Sequence, residues 1–292
     1  MSEPIQESAA KAVDQYVVIG NPVAHSKSPR IHTRFAAETE QFLQYTTLLA
    51  PLDGFVAAVE AFRAAGGRGA NVTVPFKLEA FDYATRLTAR AQAAGAVNTL
   101  MFDGADIIGD NTDGLGLVND IVRNAAIPLQ AKRILLLGAG GAARGALLPL
   151  LEQQPAQLII ANRTLSKAQQ LAQAAQTEFP DLVVAACSFE TVPADCAFDV
   201  IINATSASLQ DAVPPLPDHV WRARPLAYDM MYGATPTAFL QVAAQHAAQC
   251  RDGLGMLVEQ AAAAYALWRG VQPATGPVLH ELRLEMQVAE GA

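Results

Sequence analysis

An apolar run, Ile134-Leu-Leu-Leu137, leads straight into Gly138-Ala-Gly140-Gly-Ala-Ala143-Arg144 and then into a helix-forming stretch of alanine and leucine. Gly138, Gly140 and Ala143 fit the pattern G-x-G-x-x-A at a strand-to-helix turn. The first glycine permits the tight turn, and the second lets the backbone approach a pyrophosphate. The small third residue lets helix and strand pack closely, while the helix N-terminus supplies unpaired N–H donors. A turn used only for packing is the plain alternative. Context weighs against it, because a second strand near Leu158–Ala161 follows at the spacing of a βαβ unit.

The end of that second strand bears on the cofactor. A site for NAD wants Asp or Glu about 20 residues after the glycine turn, to accept hydrogen bonds from the ribose 2′-hydroxyl. This chain offers Asn162-Arg163-Thr164, with Lys167 one turn later and no acid. A carboxylate would repel a 2′-phosphate, whereas a guanidinium binds it with paired hydrogen bonds. A capping Thr164 beside a solvated arginine would leave the missing acid unexplained, so the pattern predicts NADP.

The same alternation runs along the whole chain. Strands are expected near Tyr16–Ile19, Tyr45–Leu49, Ala70–Thr73 and Val97–Phe102, with helices near Pro29–Glu40, Phe55–Ala65 and Phe76–Ala94. Further strands are expected near Arg133–Leu137, Leu158–Ala161, Val183–Ala186, Asp199–Ile202 and Leu226–Tyr228, and a closing helix from Gly255 to Gly270. Such alternation favours parallel sheets covered by helices, an α/β class. A length of 292 residues suggests two domains at about 150 residues each, with a seam near Gly114–Gly116.

Composition narrows the function classes. The chain is 51% apolar and 16% charged, which excludes disorder. The apolar stretch Ile134 to Leu151 carries glycines, Arg144 and Pro149, so it is no membrane span. A net charge of −8 without a basic run gives no footprint for nucleic acid or an anionic membrane. The acidic start MSEPIQESAA does not read as a secretory signal. Cys187, Cys196 and Cys250 lack any C-x-x-C spacing, which argues against disulfides and bound metal. A reducing cytoplasm is the expected compartment.

Several polar clusters fall at expected strand ends, where α/β proteins place ligands. Each has a plain reading: Ser28-Pro29 as a helix start, Asn-Thr-Asp-Gly as a turn, Lys77 as a solvated side chain. Their order says more. Gly20-Asn-Pro-Val-Ala-His-Ser-Lys-Ser-Pro29, Asn71-Val-Thr-Val-Pro-Phe-Lys77, Gly95-Ala-Val-Asn-Thr99, Gly109-Asp-Asn-Thr-Asp-Gly114, Asn162-Arg-Thr164, Asn203-Ala-Thr-Ser206 and Asp252-Gly-Leu-Gly-Met-Leu-Val-Glu-Gln260 occur in sequence. Together they resemble the motif order of NADP-dependent shikimate dehydrogenases of the monofunctional bacterial kind, from about Tyr16 to about Leu284.

The resemblance implies two α/β domains around a cleft: a substrate domain over residues 1–115 and a Rossmann NADP domain over 116–254. The C-terminal helices over 255–292 would return to the first domain. It implies reversible NADPH-linked reduction of 3-dehydroshikimate to shikimate, in the pathway to chorismate and aromatic amino acids, by a monomer or homodimer. Ser26, Ser28 and Tyr232 resemble donors to the substrate carboxylate. Asn71, Thr73, Asn98, Asp113 and Gln260 resemble the groups that meet the ring hydroxyls, and Lys77 with Asp113 resembles the catalytic pair. Gly138, Ala139, Gly140, Gly141, Ala142, Asn162, Arg163, Thr164, Leu165, Ser166, Lys167, Met230 and Gly253 match the family's NADP contacts. Two positions depart from the pattern: Ser208 stands where a glycine is usual, and Ala89 where some relatives carry an acid.

Reducing a ring ketone needs an acid at the carbonyl oxygen, and the reverse needs a base at the alcohol. Lysine can serve both, and a neighbouring carboxylate holds the ammonium in place. The same chemistry on quinate stays open from sequence. So does a regulatory module that keeps the fold without turnover, although an intact Lys77 and Asp113 argue against it.

Overall fold

The computed structural model describes residues 13–207 and 212–290. Among them are two six-stranded sheets. The first is built from β1 (Asp14–Gly20), β2 (Leu43–Leu49), β3 (Gly67–Val72), β4 (Arg86–Leu87), β5 (Thr99–Asp103) and β6 (Asp106–Asp110), in the order β2-β1-β3-β5-β6-β4. β1 pairs in parallel with β2 and β3, whereas β5 runs antiparallel to both β3 and β6. The helices of this region are α1 (Ser28–Glu38), α2 (Phe55–Ala64), α3 (Lys77–Tyr83) and α4 (Ala89–Ala94).

α5 (Asp113–Asn119) leads on to the second sheet, of β7 (Arg133–Leu137), β8 (Gln157–Ala161), β9 (Val184–Cys187), β10 (Val200–Asn203), β11 (Leu226–Asp229) and β12 (Gln249–Arg251). Its order, β12-β11-β10-β7-β8-β9, is all parallel. The order reverses between β7 and β10, the crevice where open α/β sheets bind ligands. Ile134 and Leu136 of β7 pack into one core cluster while Leu135 and Leu137 pack into another. A strand buried on both faces reads as a continuous apolar run, which is why β7 is legible in the sequence. α6 (Gly141–Leu151), α7 (Leu165–Glu178) and α8 (Ala238–Gln245) cover this sheet. The chain then closes with α9 (Leu254–Arg269) and α10 (Gly276–Glu290). α9 packs on α1, α5, β3 and β5, and α10 packs on α9, so both turn back to the first sheet.

Several expectations need correction. The single helix expected over Phe76–Ala94 is α3, β4 and α4. Thr85 breaks it by bonding both ways with the Ile107 backbone, and β4 then pairs with β6. The Thr88 hydroxyl accepts from Ala91 N and restarts the helix as its N-cap. β6 and β12 are strands that the sequence pattern does not announce, the first because its Gly109-Asp110 end reads as turn chemistry and the second because it is short. The strand expected from Val97 begins at Thr99, since Val97 N bonds to Lys77 O and Asn98 N to Asp110 O outside any ladder. The seam expected near Gly114–Gly116 falls inside α5, and Ser208 lies outside the described residues.

Candidate functional site

A cavity of about 270 Å³ opens where the two sheets face each other. Ser26, Ser28, Asn71, Thr73, Lys77, Asn98, Asp113, Tyr232 and Gln260 all line it, together with Met230 and Gly253. The residues named as substrate ligands from the sequence are thus brought to one place. His25, Lys27, Met256 and Leu257 border the cavity too; they sit inside quoted motifs but carry no chemical signal of their own.

Local structure explains each placement. Ser28 opens α1 behind an N-cap at Lys27, and no side chain caps the helix. The Ser28 hydroxyl is therefore not spent on the capping role that its sequence position suggests. The Ser26 hydroxyl accepts from Ser28 N at 3.3 Å, which draws the two serines together. Thr73 follows β3 and donates its N–H to Ile19 O at 2.9 Å. A Cβ on Gly20 would stand 2.4 Å from the Thr73 methyl, so only glycine lets these two strand ends meet so closely.

Lys77 Nζ donates to Asp113 Oδ2 at 2.6 Å, with both side chains part-exposed to the cavity. Asp113 Oδ1 accepts from Asn98 Nδ2 at 2.8 Å, and Asp113 N donates to Asn111 Oδ1 at 3.2 Å. Asn98 is itself held: its Oδ1 accepts from Thr112 N at 2.9 Å and from Thr99 Oγ1 at 2.8 Å. Gln260, the polar residue on an otherwise apolar face of α9, donates from Nε2 to Leu257 O at 2.8 Å. Its Oε1 accepts from Asn98 and Thr112, each at 3.4 Å. Beneath this layer Asp110, 2% exposed, accepts from Thr88 Oγ1, Arg90 and Asn111 N. Ala89 opens α4 as its first residue. Sequence reasoning missed Thr112, Asp110 and Arg90 because their partners are distant in the chain.

The glycine turn lies at the end of β7. Gly138 has φ +106°, and its N–H donates to Ala161 O at 2.8 Å; that φ would strain any side chain. Built Cβ atoms on Gly140 and Gly141 would meet nothing within 4 Å, so this face is open to a ligand's close approach. Gly140 is the N-cap of α6, whose first N–H groups have no partner within the helix. Asn162 to Lys167 follow β8 at the same edge of the sheet, and Asn162 Nδ2 donates to Thr164 O at 2.9 Å. Thr164 does not cap α7 through its side chain. Arg163 and Lys167 are exposed and form no ion pair among the described residues. The donors of the turn and these two cations fit a dinucleotide carrying an extra phosphate. Met230 and Gly253 meet closely, since a Cβ on Gly253 would stand 2.2 Å from Met230 O.

Residues 18–100 match the model of the shikimate dehydrogenase substrate binding domain, residues 120–210 that of shikimate / quinate 5-dehydrogenase, and residues 253–283 that of the shikimate 5'-dehydrogenase C-terminal domain. The shikimate dehydrogenase (NADP(+)) of Herminiimonas arsenicoxydans is 62% identical over 273 residues, covering 94% of this chain and 98% of that protein. This chain belongs to the shikimate dehydrogenase family. An Ael1 enzyme from Pseudomonas putida superposes with a TM-score of 0.87 at 47% identity, over 92% of this chain and 98% of that one. The shikimate 5-dehydrogenase of Thermus thermophilus, solved in complex with NADP(H) and shikimate, gives 0.79 at 30% identity, over 93% and 99%. Among the described residues no helix is long and apolar enough to cross a membrane.

Proposed function

We propose that this chain catalyses the reversible NADPH-linked reduction of 3-dehydroshikimate to shikimate, with Lys77 and Asp113 as its catalytic pair. The observation that carries the reading is the Lys77–Asp113 contact at 2.6 Å, on the wall of a cavity that also presents the hydroxyls of Ser26, Ser28, Thr73 and Tyr232 and the amides of Asn71, Asn98 and Gln260. Hydride is what the nicotinamide supplies when bound. Lys77 gives a proton to the carbonyl oxygen in reduction and takes one from the alcohol in oxidation. Asp113 holds Nζ through Oδ2, while Asn98 holds Asp113 through Oδ1.

Ser26, Ser28 and Tyr232 meet the substrate carboxylate as neutral donors. Asn71, Thr73, Asn98, Asp113 and Gln260 meet the ring hydroxyls. On the cofactor side, residues 138–142 and the N-terminus of α6 receive the pyrophosphate, and Arg163, helped by Lys167, receives the 2′-phosphate. Asn162, Thr164, Leu165 and Ser166 complete that wall, and Met230 and Gly253 border the place where the two ligands meet. The substrate domain covers residues 1–115, the NADP domain 116–254 and the returning helices 255–292. The enzyme works in the cytoplasm, in the pathway to chorismate, as a monomer or homodimer without a nucleic-acid partner.

The test is Lys77→Ala. Its kcat for shikimate oxidation should fall by roughly 10²–10⁴, the usual worth of a positioned acid or base. KM should move much less, because the remaining contacts still hold the ring. A variant that kept its turnover and lost only affinity would make Lys77 a binding group.

A further inference from the structure

Tyr45 lies on β2, behind the cavity wall: it is 5% exposed and does not border the cavity. Its phenol nevertheless donates to Asn71 Oδ1 at 2.7 Å, and Asn71 does border it. The other end of that amide is committed as well. Asn71 Nδ2 donates to Asn98 O at 3.3 Å and to Thr99 Oγ1 at 3.1 Å. Thr99, 1% exposed, uses its single hydroxyl proton on Asn98 Oδ1 at 2.8 Å, so toward Asn71 its oxygen can only accept.

A primary amide has two N–H protons and two lone pairs on its oxygen. In Asn71 both protons and one lone pair stay within the protein. What remains for a ligand is the second lone pair of Oδ1, since the ring nitrogens of the neighbouring His32 make no hydrogen bond. Reversing the amide would turn its oxygen toward the Asn98 carbonyl and the committed Thr99 oxygen, leaving buried polar groups unpaired.

We infer that Tyr45, with Thr99 at the other end of the amide, is a positioning residue that presents Asn71 to the substrate as an acceptor, so that the ring hydroxyl meeting Asn71 has to donate. The inference rests on the shikimate reading of the cavity. It assigns a polarity to one contact of that site and places its origin outside the residues that touch the substrate.

Tyr45 is suited to the task. Its ring stacks on His32 with centroids 4.2 Å apart and planes 5° from parallel, which fixes where the hydroxyl points. Burial lifts the phenol well above its ordinary range, with the Ser28 hydroxyl opposing. The group therefore keeps the proton that it donates.

The test is a double-mutant cycle in shikimate oxidation, using wild type, Tyr45→Phe, Asn71→Ala and the double variant. Tyr45→Phe deletes one hydroxyl and keeps the stacked ring. It should raise KM for shikimate by about tenfold, with kcat changed less and KM for NADP unmoved, as befits one lost hydrogen bond that acts on substrate binding. In the Asn71→Ala background the same substitution should cost clearly less, the remainder being what the contact of the phenol with the Ser28 hydroxyl carries. NADPH binding serves as the check on folding. Should Tyr45→Phe fail it, Thr99→Val enters the cycle instead, because it removes the acceptor at the amide's other end; its effect on KM should shrink clearly in the Asn71→Ala background without vanishing, since Thr99 also donates to Asn98. An unchanged KM for shikimate, or losses that add to those of Asn71→Ala, would overturn the inference and leave the enzyme reading intact. Wild-type protein that does not oxidise shikimate would instead remove the functional reading, and this inference with it.

Discussion

Lys77 opens α3, an end where the helix dipole disfavours a cation, whereas Asp113 opens α5, where it favours an anion. The pair thus sets a group stable in its place against one that needs a partner. Where we propose that the substrate carboxylate binds, the cavity offers the hydroxyls of Ser26, Ser28 and Tyr232 and no arginine. Each hydrogen bond to a charged group is worth about 1.5–3 kcal/mol, so Ser26→Ala and Ser28→Ala should each raise KM for shikimate by roughly tenfold or more. Unchanged affinity in both variants would take the serines out of the site. His32 yields a stability prediction. It is fully buried beside Tyr45, and burial pushes its imidazole from 6.5 down to about 3. The folded protein keeps the ring neutral while the unfolded chain takes up a proton below 6.5. Stability is therefore lost as pH falls from 6.5 toward 3, at no more than about 1.4 kcal/mol per pH unit. His32→Phe keeps an aromatic ring and should flatten the fall of Tm between about pH 6.5 and 5; equal slopes in the two proteins would contradict this.

At the scale of elements, α5 is the part on which the site turns. A Cβ on Gly114 would stand 2.2 Å from Gly145 O of α6, and one on Gly116 would stand 2.7 Å from Gln260 N and Met256 O of α9. Glycine on both faces lets α5 lie between the two helices at backbone contact. That brings Asp113, at its start, within reach of Lys77, and Gln260 within reach of Asn98. Gly116→Ala should cost about 1–3 kcal/mol as an overpacked contact, read as a lower Tm, and should lower kcat with it because α5 carries Asp113. A Gly116→Ala protein of wild-type Tm would show that the helices can separate freely. The sequence is most legible where one local signal suffices, as in β7 with its glycine turn and in α9. It misleads where a tertiary bond overrules local preference, as Thr85 does between α3 and α4. Gly114 and Gly116 read as a linker because glycine marks both chain breaks and close helix contacts, and only the packed helices tell the two apart.

In the whole molecule the cavity belongs to neither sheet alone: Asn71 comes from the first, Asn98 from the turn just before β5, Met230 from just past the end of β11 in the second, and Gln260 from a helix that returns. The motifs that supply its lining residues can be read in the chain. Tyr45, Thr99 and Asp110, which hold those residues in place, cannot, since their roles depend on neighbours that only the fold supplies. In the proposed function, cofactor choice falls to Arg163 at the edge of the second sheet, away from the chemistry. Arg163→Ala should cost far more with NADP than with NAD, because only the former carries the 2′-phosphate that a guanidinium binds. Equal losses with both would make Arg163 a general surface residue. The most direct measurement of the whole account is the initial rate of NADPH oxidation by the purified chain with 3-dehydroshikimate, run beside 3-dehydroquinate and beside NADH. Turnover should be fastest by far with 3-dehydroshikimate and NADPH, and equal or faster turnover with 3-dehydroquinate, or with NADH, would contradict it.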